Sequence, residues 1–288
     1  MIVTMKEILN KAQEGNYAVV APNVFYELET RAVLELAEEL KSPIILDVFP
    51  NFGISILDLA QRSSIPVAIN LDHGRNYEDI IKAIVQHASS VMVDRSTLPY
   101  EQNVKEVKEI VKIAHAAGIS VEAELGHVGM GVTYEVDGKT ALTDSKEAVA
   151  YVEETGVDAL AIAIGTAHGI YHGVPKIDFD LLQEIDAIVN VPLVLHGGSG
   201  TGFDTIKKAC SLGINKVNVN TDLIKGAMSE LRETIMTDRS SIMFMDISNG
   251  YKKVLKQYME ACGCIGKAWT IKVEGILSEA ITPINRRG

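Results

Sequence analysis

Cysteine, long apolar runs and positive charge are all in short supply in this sequence. Three cysteines, Cys210, Cys262 and Cys264, make an odd number, and the last two are only one residue apart. That spacing suits neither a structural zinc knuckle nor a redox pair, so the thiols read as ordinary reduced side chains. No apolar run approaches the length needed to cross a bilayer. The N-terminal Met-Ile-Val-Thr-Met-Lys-Glu lacks the charged-then-apolar layout of a signal peptide. The expected compartment is therefore the cytoplasm. Lysine and arginine number 27 against 38 acidic residues, a formal charge of −11. An acidic surface repels nucleic acid and anionic membrane alike, which removes both from the expected partners. An anionic substrate stays possible, because a local nest of backbone N–H groups overcomes a global field.

What the chain does have is alternation. Of its 288 residues 47% are hydrophobic, with Val, Ile and Ala runs separated by amphipathic stretches. Expected strands are Ala18–Val24, Pro43–Val48, Pro66–Asp72, Ser90–Asp94, Ser120–Leu125, Ala159–Ile164, Pro192–Gly197 and Lys216–Thr221. Helical periodicity marks Glu29–Leu40, Asn103–Ala117, Ser145–Thr155 and Phe203–Leu212 between them. Gly118, Gly156 and Gly213 stand where helix C-caps precede a returning strand. Eight β-then-α units without an internal break predict an α/β fold, a single-domain (β/α)8 TIM barrel. Additional C-terminal helices follow from about residue 224, with Met228–Thr237 and Gly250–Ala261 as clear segments. Gly126–Asp144 is too long and polar for a minimal βα connection and reads as a mobile active-site loop.

The chemistry-bearing residues fall at strand ends. Asp72 and His73 end the third strand, His168 follows the sixth, His196 ends the seventh, and Asn218, Asn220 and Thr221 close the eighth. Parallel strand ends open onto one face, where barrels of this kind keep their catalytic groups. One histidine in such a place is more often a core hydrogen-bonding residue. Three beside a carboxylate predict a zinc site with one open, catalytic position. His127 and His172 lie on loops near the same mouth and are weaker candidates for substrate contact, whereas His87 and His115 sit in helical patterns. After His196 comes Gly197-Gly198-Ser199-Gly200 and then a helix. Glycines let the backbone approach an anion closely, and successive N–H groups with a helix start make a phosphate nest. An open zinc site beside such a nest predicts a phosphorylated substrate. Adjacent strand residues point to opposite faces, so Asp72 and His73 both reach the site only where the chain leaves the sheet. Asp72 there is placed to move a proton on a substrate hydroxyl; the alternative is a carboxylate that orients an imidazole.

These residues resemble the class II, zinc-dependent ketose-bisphosphate aldolases, and are most similar to the tagatose- and fructose-bisphosphate branches. The resemblance is densest in Leu-Asp-His-Gly (71–74), Glu-Ala-Glu-Leu-Gly (122–126), Gly-Val-Asp-Ala-Leu-Ala-Ile-Ala-Ile-Gly-Thr-Ala-His-Gly (156–169), Pro-Leu-Val-Leu-His-Gly-Gly (192–198) and Lys-Val-Asn-Val-Asn-Thr (216–221). It implies that His73, His168 and His196 bind Zn2+ and that Asp72 is the acid/base at the C4 hydroxyl of a ketose. It assigns the dihydroxyacetone phosphate half to Gly169, Gly197, Gly198, Ser199, Asn218, Asn220 and Thr221, and counts Asn23 among the substrate-binding residues. It also implies a monovalent cation, Na+ or K+, near that phosphate, and a homodimer or homotetramer. The expected reaction cleaves a ketose 1,6-bisphosphate or ketose 1-phosphate to dihydroxyacetone phosphate and an aldehyde. Zinc held by neutral imidazoles keeps the charge needed to stabilise an enediolate. Two alternatives remain: the same mechanism on another sugar phosphate, or a non-catalytic sugar-phosphate binder. Retention of three histidines and Asp72 argues against the binder.

Four positions depart from the family pattern. Asn70 stands where the family usually has histidine. The loop reads Gly129-Met130-Gly131-Val132-Thr133-Tyr134-Glu135 rather than Gly-Gly-x-Glu-Asp, which leaves Glu135 as the candidate for proton exchange. Phe49 replaces a serine that helps hold the distal phosphate. The Asp-Pro-Arg whose arginine clamps that phosphate is missing, and Asp238-Arg239 is the nearest substitute. An arginine fork suits phosphate and an aromatic ring does not, so either the acceptor aldehyde is not glyceraldehyde 3-phosphate or its phosphate is held differently.

Overall fold

The computed structural model describes residues 1–131, 142–171, 173, 175–237 and 242–270. Eight strands, β1 (Val19–Pro22), β2 (Ile44–Val48), β3 (Val67–Gly74), β4 (Ser90–Val93), β5 (Ser120–Leu125), β6 (Ala159–Ile162), β7 (Leu193–Leu195) and β8 (Ile214–Val219), form one sheet. Pairing is parallel throughout, in the order β1-β8-β7-β6-β5-β4-β3-β2. The two outer strands meet where Asn23 bridges Asp47 and the Val24 N–H donates to the Asp47 carbonyl at 2.9 Å. The sheet is a nearly closed (β/α)8 barrel, as the alternation predicts. Nearly every strand residue is buried, because helices cover the outside of a parallel sheet and side chains fill its inside.

Ten helices accompany the strands among the described residues: α1 (Met5–Glu14), α2 (Glu27–Glu39), α3 (Ile54–Arg62), α4 (Tyr77–Val85), α5 (Tyr100–Ala116), α6 (Ser145–Thr155), α7 (Phe179–Ile188), α8 (Phe203–Ser211), α9 (Thr221–Met236) and α10 (Met243–Cys262). Helices α2 to α9 each follow one strand. The first, α1, buries Met5, Ile8 and Leu9 and touches β1, β3, β5 and β8, so it plugs the N-terminal end of the barrel. The last, α10, packs on α2, α8, α9 and β1. Local signals fix the helix ends. The Asp144 carboxylate accepts the Lys146 and Glu147 N–H groups at the start of α6, and Gly156 at φ 72° ends it.

The expected boundaries differ mainly at the C-terminal helices. Helix α9 starts at Thr221, directly after β8, rather than at Met228, and α10 starts at Met243 rather than Gly250. No helix among the described residues is long and apolar enough to cross a membrane. The three cysteines are buried and free.

Candidate active site

The mouth of the barrel is set by how β3 ends. The expectation that Asp72 closes the strand is not met, because β3 continues to Gly74. Its register with β4 shifts between Leu71 and Gly74, and His73 takes φ 48°. A bulge of this kind breaks the alternation of side chains. It lets Asp72 and His73, adjacent in sequence, face the same interior, where His73 Nε2 lies 3.9 Å from Asp72 Oδ1.

His73 there meets two more imidazoles. His168 arrives on the segment after β6, where its backbone is tied to Gly129 and Gly131 of the segment after β5. His196 follows β7 directly and is fully buried. His73 Nε2 stands 3.1 Å from His168 Nε2, and His168 Nε2 stands 3.4 Å from His196 Nδ1. Every outward nitrogen faces an acceptor: His73 Nδ1 donates to Asp94 Oδ2 (2.9 Å), His168 Nδ1 to the Val128 carbonyl (3.2 Å), and His196 Nε2 to Glu122 Oε1 (2.8 Å). These acceptors fix the tautomers, so the inward nitrogens all present lone pairs. Lone pairs this close are not hydrogen bonds with one another; they call for a cation between them. Nitrogens bound at about 2.0–2.1 Å around a tetrahedral ion stand about 3.3 Å apart, the spacing seen here. The residues therefore fit a divalent metal with three protein ligands. Burial lowers the His73 pKa, but Asp72 and Asp94 outweigh it and raise the ring to about 9. Burial and the two neighbouring imidazoles push His168 down to about 3.

Asp72 is buried beside this triad. Asn23 Nδ2 donates to its Oδ2 at 2.8 Å, and Asn218 Nδ2 lies 3.3 Å from its Oδ1. Burial alone would raise its pKa, but His73, His196, Lys216 and the Asn23 bond together hold it below the usual carboxylate range. The cleft in front is lined by Asn23, Asp72, His168, Gly169, His196, Gly197, Ser199, Asn218, Val219, Asn220 and Thr221. Two conformational demands shape its far wall. Gly197 has φ 69°, and a Cβ there would lie 2.2 Å from the Ala167 carbonyl oxygen. Ser199 Oγ accepts the N–H groups of Asn220 (3.2 Å) and Asp222 (3.3 Å), which ties the glycine turn to the start of α9.

A sequence profile of class II fructose-bisphosphate aldolases matches residues 3–267. The chain belongs to that family. It is an aldolase, a carbon–carbon lyase of carbohydrate metabolism, and its substrate class is sugar phosphates. A fructose-bisphosphate aldolase of Thermus caldophilus is 40% identical over 305 aligned positions, covering 93% of this aldolase and 100% of the relative. The solved YdjI aldolase of Escherichia coli K12 superposes with a TM-score of 0.84 at 33% identity, over 93% of this chain and 100% of that one. A fructose-bisphosphate aldolase of Campylobacter jejuni shares the fold, with a TM-score of 0.77 at 22% identity and coverage of 92% and 97%.

Of the residues singled out in the sequence of this aldolase, the structure gathers Asn23, Asp72, His73, His168, Gly169, His196, Gly197, Ser199, Asn218, Asn220 and Thr221 at one mouth. Gly198 differs. Its N–H already donates to the Asn218 carbonyl (3.1 Å), and its place in the turn comes from close packing, since a Cβ would lie 2.8 Å from that oxygen. Glu135, Asp238, Arg239 and His172 lie outside the described residues. His127 sits beside the cleft rather than in it, with Nδ1 3.0 Å from Ser96 Oγ. Phe49 stacks on Phe25, centroids 4.8 Å apart and planes 16° from parallel. Both rings are about two-fifths exposed, at 42% and 39%. Asn70 is fully buried and donates to Asp47 Oδ1 at 2.8 Å.

Sequence reasoning placed Glu122 on the fifth strand but gave no role to it or to two other polar supports. Asp94 holds His73, Glu122 holds His196, and Lys216 holds Glu122 (2.8 Å). Asp94 also forms a second cluster with His73 and Glu124 that could hold a metal. Burial and the nearby Asp94 raise Glu124 to about 7. The available signal was a charged residue inside an otherwise apolar strand, at Glu122, Glu124 and Lys216.

Proposed function

We propose that this aldolase is zinc-dependent and cleaves ketose 1-phosphates between C3 and C4, giving dihydroxyacetone phosphate and an aldehyde whose distal end needs no phosphate. The observation that carries the metal half is the set of three inward lone pairs at 3.1 and 3.4 Å, each fixed by an acceptor behind it. An all-imidazole set of three with one position open suits zinc in a catalytic role. When bound, the ion supplies Lewis-acid stabilisation of the negative charge that cleavage leaves on the three-carbon fragment.

The protein residues do the rest. Asp72, ionised and held from both sides by Asn23 and Asn218, takes the proton from the C4 hydroxyl as the carbon–carbon bond breaks. Gly169, Gly197, Ser199 and Thr221 line the end of the cleft that receives the phosphate. Thr221 opens α9, whose N-terminal N–H groups and dipole favour an anion. The side-chain oxygens of Asn218 and Asn220 are buried without a hydrogen-bond partner among the described residues, which leaves them for the substrate or for a monovalent cation. Glu135 is assigned the proton exchange at the dihydroxyacetone phosphate carbon on sequence grounds alone. For the other end, where the family resemblance aligns Phe49 with a phosphate-holding serine, the Phe25–Phe49 pair offers an apolar face suited to the C–H edge of an aldehyde chain and no positive charge for a phosphate. Buried free thiols and the acidic composition support a cytoplasmic protein.

The test is a panel of fructose and tagatose phosphates, with and without the C6 phosphate, assayed with zinc for dihydroxyacetone phosphate release. Equal or higher kcat/KM on the 1-phosphates is expected. A hundredfold preference for the bisphosphates overturns the distal assignment.

A further inference from the structure

The barrel interior carries charges that the reaction does not touch. Lys216, on β8, has no exposed surface, and neither do Asp47, Asn70, Glu122 and His196. Its Nζ lies 2.8 Å from Glu122 Oε2 on β5 and 3.5 Å from Asp47 Oδ2 on β2. Asp47 Oδ1 in turn accepts from Asn70 Nδ2 (2.8 Å), and Glu122 Oε1 accepts from His196 Nε2 (2.8 Å). None of β2, β5 and β8 pairs with another of the three, so the ammonium spans the inside of the barrel. The five residues form one continuous chain from Asn70 to His196.

Stability does not account for this arrangement. Taking charges out of water is costly, and well-packed apolar residues of the same volume commonly serve a core as well or better. What the charges supply is direction. The terminal torsion of a glutamate is broad, and a carboxylate bound only through one oxygen can swing. With Oε2 fixed by Lys216, Oε1 is held in line with the His196 ring. Partners of metal-binding histidines orient the ring and set which nitrogen faces the ion.

We propose that Lys216 is a positioning residue for the metal ligand His196, acting through Glu122, while Asp47 and Asn70 hold the ammonium in place. This rests on the reading of the histidine triad as the metal site. The interaction is indirect, so the expected loss lies near the lower end of the range for outer partners of a metal site, about tenfold.

Zinc affinity, measured by competition with a chromogenic chelator, tests it on the wild-type protein, Lys216→Met, Glu122→Gln and the double variant. Each single change should weaken zinc about tenfold. The double variant should lose no more than Glu122→Gln alone, because Lys216 has nothing left to act through. The d–d bands of the cobalt-substituted protein should shift in all three variants. Lys216→Met leaves the interior one negative charge in excess and is the variant most prone to misfold. Lys216→Met combined with Asp47→Asn removes a carboxyl together with the ammonium and carries the same expectation. Wild-type zinc affinity and cobalt spectrum in a folded Lys216 variant, with only the melting temperature lowered, overturn the proposal. Failure of the wild-type chain to bind one zinc, or retention of zinc by His168→Ala, instead overturns the metal-site reading.

Discussion

Removing the Asp72 carboxylate separates binding from chemistry. The inward nitrogens of His73, His168 and His196 are fixed by Asp94, Val128 and Glu122, whose contacts to the rings do not run through Asp72. Asp72→Ala should therefore keep one metal per chain by atomic absorption. Its kcat should fall by about 10²- to 10⁴-fold, the usual worth of a positioned acid or base. Turnover within a factor of five of wild type would remove Asp72 from the reaction. The ligands and Asp72 were legible because a strand-end position gives a polar residue only one plausible destination in a parallel barrel. The bulge at His73 was not, since a one-residue register shift leaves no mark in composition. Lys216 and Glu122 were visible only as misfits in apolar strands. They and their partner Asp47 come from three non-neighbouring strands, and pairing across a barrel interior is set by closure rather than by sequence distance.

At the scale of elements, α10 reaches back to the phosphate end of the cleft. Tyr258 is buried on that helix, and its hydroxyl donates to Asp222 Oδ2 at 2.7 Å. The same oxygen accepts the Gly200 N–H at 2.8 Å. Helix α10 thus clamps the glycine turn after β7 to the first turn of α9. A hydrogen bond to a charged group contributes about 1.5–3 kcal/mol. Part of that is recovered through the Gly200 bond, which survives in a Tyr258→Phe variant. We expect KM for the phosphorylated substrate, and the inhibition constant of inorganic phosphate, to rise together by about fivefold. The kcat should stay within twofold, because Tyr258 touches no reacting group. A kcat loss without change in either binding constant would contradict the clamp. The eight strands and most helices were readable from periodicity. Helix α10 was readable as a helix, but the face it turns toward Asp222 was not, because that contact spans 36 positions and depends on how the last helix folds back.

For the whole molecule, the question is whether the ion builds the fold or only occupies it. In small zinc domains the ligands are the core, and chelation unfolds them. Here the three imidazoles are carried by β3, the segment after β6 and the end of β7, which already belong to one nearly closed sheet with an extensive apolar interior. Chelated protein should accordingly keep its far-ultraviolet circular dichroism and still melt cooperatively. Binding to the native state alone adds stability as RT ln(1 + [L]/Kd), about 4 kcal/mol when the ion stands a thousandfold above Kd. At about 2 °C per kcal/mol for a chain of this size, restoring zinc should raise the melting temperature by roughly 8 °C. His168→Ala should abolish that rise while leaving the metal-free melting temperature within a few degrees of wild type, because its ring sits at the mouth rather than in the apolar core. Loss of helical signal on chelation would mean that the ion is part of the fold. An unchanged melting temperature on adding zinc would mean that the triad does not bind it.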